Sequence, residues 1–409
     1  SFAGTGGSAT AWLADVDDPL APPRTFKHLE LASTHPDARA RDHHLAMALI
    51  GAGALLHVLQ DMSVPAHARG DVAAFFAALS SVPGDRGLPF SEVARLSFGR
   101  SDLPGKRAAQ DVQTSRGVAL AAGLRGHFLG DAGYEGLAVF TGRRFFSERS
   151  VPAPRFLEPQ LSGEQAAAQL LAGANLEPGE QSGATLSPWP AVRGYLRTST
   201  GRPLAAFDTD DLGRVRPFID EAVYREQFAQ LIPRSVEASR SLLDWLWPAW
   251  PELTYDAAAG HLDFMVADDL QDAALLVFTQ TPEGERAIQQ KVRLRPGARN
   301  RVTNLPKLAE DQRTVVVLRA RRSTGEPLIL EQVLGAESKT FGVVPAPAPL
   351  APPPLPPAPT PESEEPEPAD ADGLLPTSGA PPEPAETGRS APVPKDSKPA
   401  PVPKDSKPA

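Results

Sequence analysis

The sequence predicts a mainly α chain: a multi-helix bundle over residues 1–250, a small antiparallel β domain over 251–344 and a disordered Pro-rich tail over 345–409. Three observations predict it. The run from Leu45 to Leu56 is rich in Ala and Leu and long enough for a buried helix. Ile219, Val223, Phe228, Leu231, Val236 and Leu242 recur at helical intervals, which puts one long helix, or two broken at Pro233, within residues 215–247. Beyond Pro248 short β-branched stretches alternate with turn signals, and beyond Pro345 proline dominates.

Composition sets the outer limits. At 409 residues the chain has room for two or three domains, and 41% hydrophobic residues support a core in part of it. A net charge of −9 argues against duplex nucleic acid held by a basic surface. With no cysteine, disulfides and thiolate metal sites are excluded, so any zinc would rest on His, Asp and Glu. No stretch of about 20 apolar residues is present, so no membrane span is expected. The chain opens at Ser1 without Met or a signal-like core, which reads as a processed form or a fragment.

Taken in order, residues 1–10 are small and flexible, and Asp15, Asp17 and Asp18 precede a Pro-containing loop and His28. His35 follows, and His43 and His44 read as helix-start residues behind Asp42. The central helix carries His57 and Asp61 four residues apart, hence on one face and about 6 Å apart along the axis. Pro65 ends it soon after Met62, because the residue before a proline avoids helical geometry. The turn at Ser63–Pro65 can then swing His67 back towards the same face. An imidazole and a carboxylate so placed can grip one metal ion, and zinc accepts that mixture.

Asp71 to Leu79 reads as a short amphipathic helix. His127 and Asp131 again stand four apart, although Gly130 and Gly133 weaken a helix there. Phe145-Phe146-Ser147-Glu148 reads as a helix end with aromatic packing. Residues 151–214 read as an irregular insertion with short amphipathic pieces such as Gly163 to Ala174. Strands are expected over 262–266, 273–279, 287–294, 314–320 and 328–334. The last 65 residues hold 22 prolines, 10 acids and 5 bases, with PVPKDSKPA twice in tandem, and cannot bury enough surface to offset ordering entropy. They read as a spacer.

Leu56-His57-Val58-Leu59-Gln60-Asp61-Met62-Ser63-Val64-Pro65-Ala66-His67 resembles the L-H-x-L-x-D then P-x-H phrase of the zinc-dependent phospholipase C family, which shares its fold with single-strand-specific nucleases. Upstream, Ala14-Asp15 and Thr25-Phe26-Lys27-His28 are similar to two further phrases of that family, with His28 one place early and Leu29 where an aromatic is usual. Phe145-Phe146-Ser147-Glu148 resembles a phrase of its large bacterial members. The resemblance implies a phospholipase C-like bundle and two or three Zn2+ ions. Asp15, His28 and His57 would hold one ion, Asp61 would bridge, and His67, His127 and Asp131 would hold another. It also implies Asp15 as general base, with Asp17 as its nearest competitor and His43 and His44 as alternatives to His28. The family's third site needs an N-terminal Trp and a nearby His, yet no Trp precedes Trp12 and no His precedes His28.

The function this implies is a zinc-dependent phosphoric ester hydrolase acting on phospholipid or another phosphate ester, secreted or in the periplasm or cell envelope, with peripheral lipid contact. The rivals are a single-strand nuclease of the same fold and a degenerate zinc-binding scaffold serving adhesion or partner binding.

Overall fold

Asp37 starts the helix around which the helical layer is built. Its carboxylate accepts from the Ala40 amide at 2.7 Å and caps α3 (Ala38–Asp61), which therefore begins well before His43. Ahead of it stand α1 (Ala9–Trp12) and α2 (Pro22–Thr34), the latter opened by a proline in its first turn. Three residues join α2 to α3, so the two helices run antiparallel. They meet at Gly51, where a Cβ would overlap the hydroxyl of buried Thr25 and stand 3.0 Å from its Cβ. The computed structural model describes residues 8–73, 90–97, 103–115, 117–251, 253–256, 258–305 and 311–334. The expected helix at 71–79 falls outside them from residue 74 onward. Ser1–Val344 groups as one unit and Pro345–Ala409 as another, and the second, with its tandem repeat, lies outside the described residues.

Further helices follow: α4 (Pro65–Ala68), α5 (Phe90–Ser97), α6 (Lys106–Thr114), α7 (Leu124–Leu129), α8 (Leu137–Arg144), α9 (Gly163–Leu171), α10 (Pro178–Gln181) and α11 (Glu221–Leu246). One core joins α1, α2, α3, α7, α8 and the end of α11 through Trp12, Phe26, Leu55, Leu59, Phe128 and Trp245. Pro233 lies inside α11 without ending it. It cannot donate to the Ala229 carbonyl, and the turn at Gly105 (φ 80°) packs on this part of the helix so closely that a Cβ there would stand 2.6 Å from Phe228 O and 3.0 Å from Pro233 Cδ.

Among the described residues helices make up 39% and strands 25%, in three antiparallel sheets, so the architecture is mixed and not the expected mainly α bundle. The largest departure is the stretch 151–214 read as irregular. Its strands β1 (Arg155–Phe156), β2 (Thr185–Ser187), β3 (Arg193–Arg197) and β4 (Pro203–Thr209) join β5 (Arg214–Phe218) in a sheet ordered β1-β5-β4-β3-β2. The reason is physical. Leu204, Ala205, Ala206 and Phe207 are all buried, so β4 is covered on both faces and shows none of the alternation that marks a strand. The Gly and Pro residues around it are turns. This sheet, α9 and the first half of α11 enclose a second core with Phe145, Phe146 and Leu196. A second correction concerns α3, expected to be buried: Leu45, Leu49 and Ile50 are 47%, 54% and 53% exposed. By length and composition alone α3 could cross a membrane, but it is the helix against which α2 and α11 pack.

The remaining strands are β6 (Leu253–Asp256), β7 (His261–Met265), β8 (Leu270–Gln280), β9 (Arg286–Arg293), β10 (Arg299–Val302), β11 (Arg313–Arg322) and β12 (Pro327–Leu334). They form sheets ordered β10-β7-β6 and β12-β11-β8-β9 over a shared core with Leu262, Phe264, Leu275 and Val316. This part is tied to the helices by buried polar groups. Arg286 donates its backbone amide to Pro36 O at 2.9 Å and its guanidinium to Ser33 O at 2.6 Å, and pairs with Glu331. Arg41 bonds the carbonyls of His35, Pro36 and Gly284, and Glu326 accepts from the Leu124 amide at 2.8 Å.

Gly51→Ala should lower stability by about 1–2 kcal/mol, since the overlap with Thr25 outweighs the roughly 1 kcal/mol that alanine gains in a helix. The double variant with Thr25→Ala should lose less than the sum of the two single changes. Urea unfolding of the four proteins measures this, and additive losses would contradict it.

Candidate metal centre

His57 and Asp61 leave α3 on one face near its C-terminal end, with His57 Nε2 3.7 Å from Asp61 Oδ2. Met62 caps the helix, and Val64 N bonds Asp61 O at 3.0 Å to close the turn. Pro65 then takes the first position of α4, where a missing amide hydrogen costs nothing. This short helix returns His67 to the neighbourhood of Asp61 and His57, both of which bear on its charge. Burial pushes the His67 imidazole below its ordinary pKa, against the pull of Asp61 and with a smaller push from His57. His67 is thus held towards its neutral form, the form that ligates metals. His57 is exposed and Asp61 half-buried, so the three groups open to solvent.

The loop behind them is anchored. Arg69 donates to Phe145 O and Asn175 O, and Asp71 accepts from Ser147 Oγ at 2.7 Å and from the Arg149 amide at 3.0 Å. Glu148 accepts from Tyr224 Oη at 2.7 Å. The Phe145–Glu148 phrase therefore seats the segment that carries His67, with both phenyl rings buried.

The donor set matches zinc in chemistry. Two donors on one tetrahedral zinc, with bonds of about 2.0–2.1 Å, stand about 3.4 Å apart, near the His57–Asp61 separation. Among the described residues no group of three or more His, Asp or Glu side chains stands ready to hold an ion.

The other expected ligands are placed elsewhere. Asp15 Oδ1 accepts the amides of Asp17 and Asp18 at 2.9 and 3.2 Å in a local turn. Because Thr25 sits at Gly51 and α2 runs antiparallel to α3, His28 lies towards the start of α3, its Nδ1 3.0 Å from His44 Nδ1. His44 precedes His57 by 13 residues, about 20 Å of helix, so the structure does not bring His28 to His57. The rings of His35 and His43 lie 6.0 and 5.4 Å from that of His44, a group of four imidazoles that sequence spacing did not reveal. Burial lowers the pKa of both His28 and His44, and the neighbouring cationic groups lower them further.

His127 is fully buried between the rings of Tyr134 and Trp245. Its Nδ1 lies 3.5 Å from Ser241 Oγ, and its Nε2 has no partner among the described residues. Asp131 Oδ2 accepts from the Ala122 amide at 2.7 Å. His127 and Asp131 are near each other, as Asp131 bears on the His127 charge, but neither is among the groups that bear on His67.

No protein-family model, curated protein or solved structure matches this chain.

Burial pushes the His127 pKa down to about 4, against Asp131 and with a smaller contribution from Arg322. A folded-state pKa below the unfolded value of about 6.5 gives stability that is present above pH 6.5 and lost as pH falls towards 4. Between pH 7 and pH 4.5 the native chain should therefore lose about 2–3 kcal/mol more than His127→Leu. Urea titrations at both pH values test this, and equal losses would contradict it.

Proposed function

We propose that this chain is a zinc-dependent phosphoric ester hydrolase, phospholipase C-like, with a metal centre built on His57, Asp61 and His67. The observation that carries the reading is the return of His67, across the Pro65 turn, to the neighbourhood of His57 and Asp61. His57 and His67 would supply imidazole nitrogens and Asp61 a carboxylate oxygen. A bound zinc ion would polarise a phosphoryl oxygen and lower the pKa of a water. The proposal does not extend the centre to Asp15, His28, His127 or Asp131, whose side chains are engaged elsewhere.

The exposed face of α3 supports a lipid-like substrate over a nucleic acid. Ala46, Leu49, Ile50 and Gly53 are exposed at helical intervals that lead to His57. An acyl chain can lie along such a strip, whereas single strands need stacking rings and cations. A second reading, a scaffold that binds zinc without hydrolysis, is favoured by the burial of His127, which leaves three candidate donors among the described residues at the α3 end.

Metal content of the purified chain, beside Asp61→Asn and His57→Ala, tests the centre. The native chain should carry zinc, and each variant should lose most of it. Hydrolysis of a chromogenic phosphodiester, abolished in His57→Ala, supports the enzyme. Zinc without hydrolysis selects the scaffold, and a folded chain that takes up no zinc would sink both.

A further inference from the structure

The outer face of the four-stranded sheet carries a constellation unrelated to the α3 end. The register sets Ala274 of β8 directly opposite Arg293 of β9 on one side and Arg319 of β11 on the other. Two guanidinium groups thus flank a methyl group. In the next row Leu276 stands opposite Lys291. Helix α2 crosses this face with Phe26, Lys27 and Glu30 and closes a cavity of about 610 Å³ against it. The floor is apolar, with Phe26 and Leu276 buried and Ile329 beside them.

The rim is cationic. Lys27, Lys291, Arg293, Arg319 and Arg321 face two carboxylates, Glu30 and Asp272, which gives 5 − 2 = +3 at one cavity of a chain whose net charge is −9. Glu30 is shared between Arg319 at 2.6 Å and Lys27 at 3.2 Å. The side chains of Lys291 and Arg293 are exposed and make no hydrogen bond or ion pair with any described residue. Cations on β9 alone would be explained as guards on an edge strand. Arg319 has no such explanation, because β11 lies between β8 and β12. A cavity of this size suits a small molecule, and paired guanidinium groups suit an oxyanion.

We infer that this cavity binds a small amphipathic organic oxyanion, a phosphate or carboxylate head on a short alkyl or aryl body. The head sits over Ala274 between Arg293 and Arg319, with Lys291 alongside, and the body lies against Phe26, Leu276 and Ile329. The site needs no metal and is independent of the hydrolase reading.

Calorimetric titration of the full chain, stripped of metal and held at low salt, tests it with hexyl phosphate, hexanoate and inorganic phosphate. Hexyl phosphate should bind once per chain and at least about tenfold more tightly than inorganic phosphate, because only it fills the apolar floor. Arg293→Gln and Lys291→Gln alter exposed side chains without partners, so the fold survives. Each should weaken hexyl phosphate several-fold, and the pair about tenfold or more. Hexanoate binding that is weakened by the same changes shows that the site takes carboxylates too. Absence of hexyl phosphate binding, binding unchanged in both variants, or inorganic phosphate binding as tightly as hexyl phosphate would overturn the inference.

Discussion

The close approach of α2 to α3 at Gly51 is the constraint on which the helical layer depends. Thr25 occupies the space where any other residue would carry its Cβ, and the short link between the helices makes them antiparallel. Once that contact is set, the position of every later residue on α2 follows. Phe26 turns into the core beside Trp245, His28 moves towards His44, and Lys27 and Glu30 reach the outer sheet. The same crossing leaves the opposite face of α3 uncovered from Ala46 to His57.

What could be read from the sequence was local. The end of α3 at Met62 ahead of Pro65 and the placing of His57 and Asp61 on one face rest on rules acting within a few residues, and each is found, whereas the short helix that Pro65 itself opens reads as a turn in the sequence. The five stretches read as strands after Pro248 lie within β7, β8, β9, β11 and β12 or overlap them, since β-branched runs between turns are equally local. What could not be read depends on partners far along the chain. Strand β4 lost its alternation to burial on both faces, and α11 runs on through Pro233, with Leu231 and Ala238 buried on either side of it in cores built from distant segments. The grouping of His28 with His44 likewise depends on the crossing at Gly51, which no motif spacing encodes.

The candidate centre shows the same division. The Phe145–Glu148 phrase was read as packing, and it is packing, but it also holds Asp71 and Arg69 and so seats the loop that presents His67. The candidate centre and the core thus draw on one segment. The His127–Asp131 pair, spaced like a metal site, places His127 in the core and Asp131 on the Ala122 amide. A spacing of four is set by helix geometry and does not say whether the shared face looks inward or outward.

The ties made by Arg286 and Arg41 carry a consequence for how the chain comes apart. The carbonyls of Ser33, His35 and Pro36, at the junction of α2 and α3, find donors on Arg286 and on Arg41, and Arg41 also bonds Gly284 in the sheet region. Removing the β region would take from Ser33 O its Arg286 donor and from Pro36 O one of its two, and would leave the Arg41 guanidinium without its Gly284 acceptor, at the very turn that fixes how α2 crosses α3. The sheets thus act as a folding partner for the helices, holding the start of α3 at the far end from His57 and Asp61.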